Sequence, residues 1–273
     1  MLSKNFEQVK YAFFDVDGTI LNENLEVPKE LLNCISELKK NNVISIICTG
    51  RSLPSMKELW DKWSLGEVFY HKFICNNGNC IYDTRHGEAH ILREIDLEKF
   101  EKLVEKYKEV CRWVINTSNR IIYSDKFALM EYKMLFLSSN NQVIQCELSE
   151  VRTSIQGDEI LEIYVFIEES DADKYVFESL GLKKMHYKRG FFYPSDVTKV
   201  EGVESLLSKD FHEISLDSII VFGDGKNDYS LFKKSKISIA MQKSDKILKE
   251  VATECLIDQT LSQYLSKICV VQS

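Results

Sequence analysis

Tyr11-Ala12-Phe13-Phe14-Asp15-Val16-Asp17-Gly18-Thr19 is the stretch on which the fold turns. Four apolar residues stop abruptly at two acids and a glycine, which predicts a short buried strand ending in a polar loop. The same punctuation recurs outward from it. Pro28 opens a helix, where its missing N–H costs nothing, and Leu31, Leu32, Ile35 and Leu38 share one face. Asn41 and Asn42 end that helix. Val43–Cys48 is a second apolar strand and runs into Thr49-Gly50-Arg51. A helix carrying Met56, Leu59, Trp60 and Trp63 follows. Phe73–Cys75 makes a third strand, ending in Asn76-Asn77-Gly78-Asn79.

Strand, helix, strand, helix, strand over about 80 residues implies a parallel sheet with helices on its faces. The pattern returns after Pro194. A helix around 201–209 leads to the strand 218–222, which ends in Gly223-Asp224-Gly225-Lys226-Asn227-Asp228. A further helix, the strand 237–241 and the helix 244–252 complete two more units. The segment 84–193 reads differently. It holds an amphipathic helix from Ile95 to Val110, with Phe100, Leu103, Val104 and Tyr107 on one side. Short strands follow at 111–116 and 120–124, a helical run at 126–138, and strands near 143–148 and 159–169. A helix at 171–180 and last strands at 183–188 and 190–193 complete it. The predicted architecture is a doubly wound, mainly parallel Rossmann-like α/β core sheet built from 1–83 and 194–273, with an α+β domain, 84–193, inserted between its halves.

The chain has 273 residues, 44% hydrophobic and 28% charged, enough for a sizeable core. A formal net charge of -7 argues against a nucleic-acid binder, which usually presents a basic face. It leaves a phosphate-ester ligand open, because local charge in a pocket can oppose the global sign. No apolar stretch approaches the ~18 residues that span a bilayer, and 1–10 lacks the apolar core of a signal peptide. Eight cysteines without a CxxC pair, several inside apolar runs, read as buried thiols of a cytoplasmic protein.

The acids carry the chemistry. Strand alternation predicts that Asp15 and Asp17 project together at the end of the first strand. Two such carboxylates repel unless a cation lies between them. Asp224 and Asp228 stand at the end of another buried strand. In open α/β sheets, ligands bind beyond the carboxyl ends of the strands. Four acids at one sheet edge, with no structural need for any, call for a metal, and hard oxygen donors on tight turns suit Mg²⁺. The Thr49 hydroxyl and the Gly50 amide, at a helix start, can donate to phosphate oxygens. Lys199 can offer a point charge to the same group. Taken singly, each feature also has a plain reading: capping aspartates, a Thr N-cap with a solvated Arg51, a surface lysine.

In this order, Asp15-Val16-Asp17-Gly18-Thr19, Thr49-Gly50-Arg51, Lys199 and Gly223-Asp224-Gly225-Lys226-Asn227-Asp228 resemble the four motifs of the haloacid dehalogenase-like superfamily. They are similar in particular to those of the Cof-type phosphatases, which carry a large α/β cap between the second and third motifs. The Asn76-Asn77-Gly78 turn resembles the one that precedes the cap. The resemblance implies that Asp15 is the nucleophile and a metal ligand. It implies that Asp17 is the general acid and base, with its carbonyl on Mg²⁺. Thr49, Gly50, Lys199 and Asn227 would hold the phosphoryl group, and Asp224 and Asp228 would complete the metal site. Val200 and Glu201 stand between Lys199 and Gly202, where the family often has a small residue at once, so Lys188 and Arg189 remain alternatives for the lysine. Gln242-Lys243 replaces the family's Gly-Asn pair.

The expected activity is Mg²⁺-dependent hydrolysis of a small phosphorylated metabolite, such as a sugar phosphate, through an aspartyl-phosphate. A phosphomutase would use the same two aspartates, and a phosphoester-binding module without turnover would keep the same fold. The substrate and the cap residues that select it, with Arg112, Trp113, Tyr123, Tyr132 and His186 as unassigned candidates, do not follow from the sequence, and neither does the oligomeric state.

Overall fold

A computed structural model describes residues 8–109, 111–135, 142–155, 157–166, 185–187, 190–194, 197–213 and 215–271. Two compact units result. One comprises Met1–Gly50, Leu59–Glu88 and Thr198–Ser273, the other Arg51–Glu58 and Ala89–Val197.

The first unit is built on β1 (Tyr11–Phe14), α1 (Lys29–Lys40), β2 (Ile44–Ile47), α2 (Leu53–Lys62, shared with the second unit), β3 (Lys72–Cys75) and β4 (Cys80–Asp83). Its later part adds α6 (Lys199–Phe211), β12 (Ile219–Gly223), α7 (Tyr229–Lys234), β13 (Ile237–Ala240), α8 (Lys246–Val251), β14 (Glu254–Cys255) and α9 (Leu261–Val271). The central sheet runs β14-β13-β12-β1-β2, and every pairing in it is parallel. β1, β12 and β13 are buried on both faces, as the inner strands of a parallel sheet require, and so read as near-continuous apolar runs; β14 at the edge is half-buried. Phe14 and Phe222, level with each other on neighbouring strands, stack at 4.7 Å.

The third strand departs from the simple alternation. β3 touches β2 through an isolated parallel bridge, Cys48 to Ile74, and otherwise pairs antiparallel with β4 in a sheet ordered β3-β4-β5 (β5, Glu88–Ile91). Asn76, Asn77 and Gly78 turn the chain from β3 to β4 with φ of 50°, 54° and 107°. Asn and Gly are the residues that tolerate left-handed backbone.

The second unit contains α3 (Leu97–Lys106), β6 (Arg112–Thr117), β7 (Arg120–Tyr123), α4 (Lys126–Leu135), β8 (Gln142–Gln145), α5 (Val151–Ile155), β9 (Ile160–Phe166), β10 (Met185–Tyr187) and β11 (Gly190–Pro194). Its sheet runs β10-β11-β9-β6-β7-β8, antiparallel except for β7 with β8. Trp113, Ile115, Ile163 and Val165 pack with Phe100 and Val104 of α3 and Val151 of α5. Val114, Tyr164 and Phe166 pack with Ala128 and Tyr132 of α4. The two sets alternate along each strand, as a sheet with both faces covered demands.

The helix expected at 95–110 is shorter, Leu97–Lys106; the one expected at 126–138 is described over Lys126–Leu135, and 136–138 lie outside the described residues. The expected helix at 171–180 lies outside the described residues, as do Lys188 and Arg189. Cys34, Cys48, Cys75, Cys80, Cys111, Cys146 and Cys255 are free thiols. Among the described residues, no helix is long and apolar enough to cross a membrane.

Candidate active site

Asp15, Thr49 and Asp224 each stand at or just beyond the carboxyl end of a parallel strand, at one edge of the central sheet. Asp15 follows β1 directly, and its amide is fixed by the Phe222 carbonyl at 2.9 Å. From there the chain leaves the strand through a turn over Val16–Ile20 in which Gly18 takes φ 68°. A Cβ on Gly18 would lie 2.2 Å from Asp224 Oδ2, so glycine serves both the backbone and the close approach of Asp224.

Carboxylate oxygens of Asp15, Asp224 and Asp228 all lie within 4.8 Å of one another. Lys199, 1% exposed, places Nζ 2.6 Å from Asp15 Oδ1 and 2.6 Å from Asp228 Oδ1. The second oxygen of Asp228 accepts from the amides of Asp224 and Gly225, both at 3.2 Å, which pins the turn after β12. Gly223 is required here too, since a Cβ would meet Asp228 Oδ2 at 2.4 Å.

Lys199 owes its position to a helix start packed on a turn. It is the first residue of α6, where Glu201 Oε2 accepts from the Thr198 amide at 2.7 Å. The Gly78 turn presses on that start so closely that a Cβ on Gly78 would sit 2.2 Å from the Thr198 carbonyl. Gly202, one helical turn later, lies against Gly78 in the same way, with 2.7 Å from its ideal Cβ to the Gly78 oxygen. The small residue that the sequence displaces from Lys199 thus stands where the helix crosses the turn.

Electrostatics follow from burial. Asp15 is pushed up to about 8, chiefly by desolvation, with Lys199 pulling against it and Asp228 and Asp224 adding to it. Asp224 is raised to about 6 by burial and then by Asp228. Burial pulls the Lys199 ammonium down, but Asp15 and Asp228 outweigh it and hold the group above its ordinary value. Fully ionised, the three carboxylates would outweigh the one ammonium by two charges, and the raised Asp15 and Asp224 reflect that imbalance. Cys48, also buried, has its thiol pushed up to about 12 by desolvation and is no nucleophile.

The phosphate-binding candidates form a second group. Thr49 is buried, its amide bonded to the Ile74 carbonyl and its carbonyl accepting from the Asn77 amide at 3.2 Å. Asn227 Nδ2 donates to Asn77 Oδ1 at 3.1 Å. Gly50 lies against that pair, since a Cβ there would be 2.7 Å from Asn77 Oδ1 and 2.9 Å from Asn227 Nδ2. Thr49, Gly50 and Asn227 therefore meet around Asn77, to which the sequence assigned no role of its own. The signal was its place in the Asn-Asn-Gly turn.

Two expectations change. Asp15 is buried while Asp17 is exposed and lies outside the carboxylate group. β1 ends at Phe14, so strand alternation does not extend to Asp17, which sits inside the turn with φ -72° and ψ 129°. Arg51, read as solvated, is buried and donates to Ser55 Oγ at 3.0 Å.

The donor set fits Mg²⁺: hard oxygens on tight turns, with a charge deficit that a divalent cation cancels. Asp15, Asp224 and Asp228 would supply side-chain oxygens.

Comparison with known proteins bears on the chain as a whole. The model of the haloacid dehalogenase-like hydrolase family matches residues 12–260. YkrA of Bacillus subtilis is 22% identical over 246 residues, covering 89% of this chain and 90% of that protein. The 5-amino-6-(5-phospho-D-ribitylamino)uracil phosphatase YcsE of Bacillus subtilis is 24% identical over 254 residues, covering 89% and 88%. Among solved structures, a haloacid dehalogenase-like hydrolase from Bacteroides thetaiotaomicron aligns with a TM-score of 0.78 at 14% identity, over 95% of this chain and 99% of that one.

Proposed function

Because the chain belongs to the haloacid dehalogenase-like hydrolases, we propose that it is a Mg²⁺-dependent phosphatase that hydrolyses a small phosphorylated metabolite through an aspartyl-phosphate on Asp15. The observation that carries this reading is the Lys199 ammonium, 2.6 Å from Asp15 and 2.6 Å from Asp228 inside a group of three converging carboxylates.

Phosphoryl transfer needs an in-line nucleophile and neutralisation of the charge on the equatorial oxygens. An Asp15 carboxylate oxygen attacks phosphorus as the bond to the leaving oxygen breaks. Asp17, exposed at the turn, donates its proton to that oxygen. In the second half, Asp17 takes a proton from water, the water oxygen attacks the acyl phosphate, and phosphate leaves as Asp15 is restored. Lys199, the Thr49 hydroxyl, the Gly50 amide and Asn227 hold the transferring group. Asp15, the Asp17 carbonyl, Asp224 and Asp228 would hold the metal. When bound, Mg²⁺ offsets the repulsion between Asp15 and a dianionic ester. The segment 84–193 serves as an inserted cap that selects the leaving group. The substrate class is supported by the YcsE relative, whose named substrate is a small phosphorylated metabolite.

The test is phosphate release from a panel of small phosphate esters, with Mg²⁺ and with EDTA, together with acid-quench trapping of a phosphorylated enzyme. Magnesium-dependent release with label on Asp15 is the expected result. Release that persists in EDTA, or a labelled residue other than Asp15, overturns it.

A further inference from the structure

The end of the central sheet opposite Asp15 carries a second concavity. It has a volume of about 560 Å³, within the range of small-ligand sites. Lys39 at the end of α1, Ser45 at the start of β2, Phe69, Tyr70 and His71 leading into β3, and Arg85 after β4 line it. β2 runs from this cavity at Ser45 toward Thr49, so the two sites lie at opposite ends of one strand.

Its chemistry is uneven. Ser45 is 2% exposed, and its hydroxyl is buried without a hydrogen-bond partner, although the Ser45 carbonyl accepts from the Tyr70 amide at 2.8 Å. An unpaired buried hydroxyl is unfavourable, and a ligand that bonds it supplies the missing partner. Nearby acids are already matched. Asp210 accepts from Lys72 at 2.8 Å and from the Tyr70 hydroxyl at 3.1 Å. Asp83 accepts from His86 at 3.1 Å and the Arg85 amide at 2.9 Å, with Lys72 at 3.7 Å and His71 at 3.9 Å. Burial, then the charge of Arg85, lowers His71 and favours its neutral form. Among the described residues, no ion pair or side-chain hydrogen bond engages the Lys39 ammonium or the Arg85 guanidinium, and both residues are exposed. The cavity therefore joins two uncompensated cations, a buried hydroxyl and the apolar walls of Phe69, Val68 and Ile44.

We propose that this cavity binds a small organic anion, with its carboxylate or phosphate-type head on Lys39 and Arg85 and a one-ring apolar body against Phe69, within reach of the Ser45 hydroxyl. An inorganic anion would leave most of the volume and all of the apolar wall unused. The assignment is independent of the proposed phosphatase reaction, since it uses none of that site's residues.

The test is amide-resolved NMR titration of the full chain with benzoate and with phenylphosphonate, which carry the two head groups on one ring. Saturable shifts centred on Ser45, Phe69–His71 and Arg85 are expected, with Kd of about millimolar or tighter for at least one probe. K39E/R85E, which alters two exposed side chains, should weaken binding about tenfold or more, and Ser45→Val should weaken it while the fold is kept. Shifts confined to the Asp15 end of the sheet, no saturation with either probe, or affinity unchanged in K39E/R85E would each overturn the site.

Discussion

Lys199 stands between two buried carboxylates at equal distance, so its removal has consequences for both chemistry and folding. Breaking a buried ion pair by deleting one partner typically costs about 3–5 kcal/mol, because the remaining charge has no solvent to turn to. Lys199→Met should destabilise the metal-free protein by that order in urea unfolding and should also abolish phosphate release. Stability equal to the parent would mean that Lys199 and its two partners do not act as a buried ion pair in the fold. Asp15→Asn is the complementary change. It removes the attacking charge while keeping the shape, and should lower turnover by at least about three orders of magnitude with the fold intact. Appreciable hydrolysis by that variant would rule out the covalent route. At this scale the sequence was partly legible. Asp15 and Asp224 declare themselves as acids placed directly after apolar strands, and Asp228 by the turn it shares with Asp224. The burial of Asp15 against the exposure of Asp17 could not be read, because the strand rule runs only as far as the strand, and β1 stops one residue before Asp15.

Elements, not single side chains, set the position of Lys199. The start of α6 is held against the turn between β3 and β4, with Gly78 and Gly202 packed backbone to backbone. Gly202→Val should force the helix start off the turn, since its first side-chain carbon would already sit 2.7 Å from the Gly78 oxygen and 2.8 Å from Ile74 Cγ2. The expected outcome is a loss of about 1–3 kcal/mol, the usual cost of overpacking, with a fall in kcat larger than the change in KM. Unaltered kcat would show that α6 tolerates the shift without moving Lys199. This coupling was illegible beforehand. Sequence shows a lysine and, three residues on, a glycine, but not that both approach the turn at Gly78, far earlier in the chain. β1, β2, β12 and β13 were legible because each is a short, mostly apolar run between turn residues, whereas the half-buried Glu254–Cys255 of β14 carries no such pattern. The antiparallel course of β3 and β4 does carry a signal, the Asn77-Gly78 dipeptide of tight hairpins, but the strand–helix alternation before it masks that signal.

In the whole molecule, the charge deficit at the sheet edge links metal, protons and stability. Without a metal, Asp15 and Asp224 ionise less readily in the fold than in the unfolded chain, with Asp15 raised to about 8 and Asp224 to about 6. A carboxyl whose folded pKa lies above its unfolded value binds more protons in the native state, so stability falls as pH climbs from about 4 toward 8. In EDTA the melting temperature should therefore decline across that window. Magnesium demands the ionised carboxylates and must displace the protons they retain. Its affinity should rise from pH 6 to pH 8, with proton release per ion bound that is largest near pH 6 and shrinks toward pH 8. Because it binds only the folded state, it should also stabilise the protein most at the upper end of the range. Calorimetric titration of Mg²⁺ in two buffers of different ionisation enthalpy, repeated at three pH values, measures the protons directly. If the heat does not depend on the buffer, the carboxylates are already ionised in the metal-free fold and Lys199 alone holds them so. If proton release tracks pH as described but Asp224→Ala leaves the affinity unchanged, the ion sits elsewhere, and the acids at the ends of β1 and β12 repel one another for some other purpose.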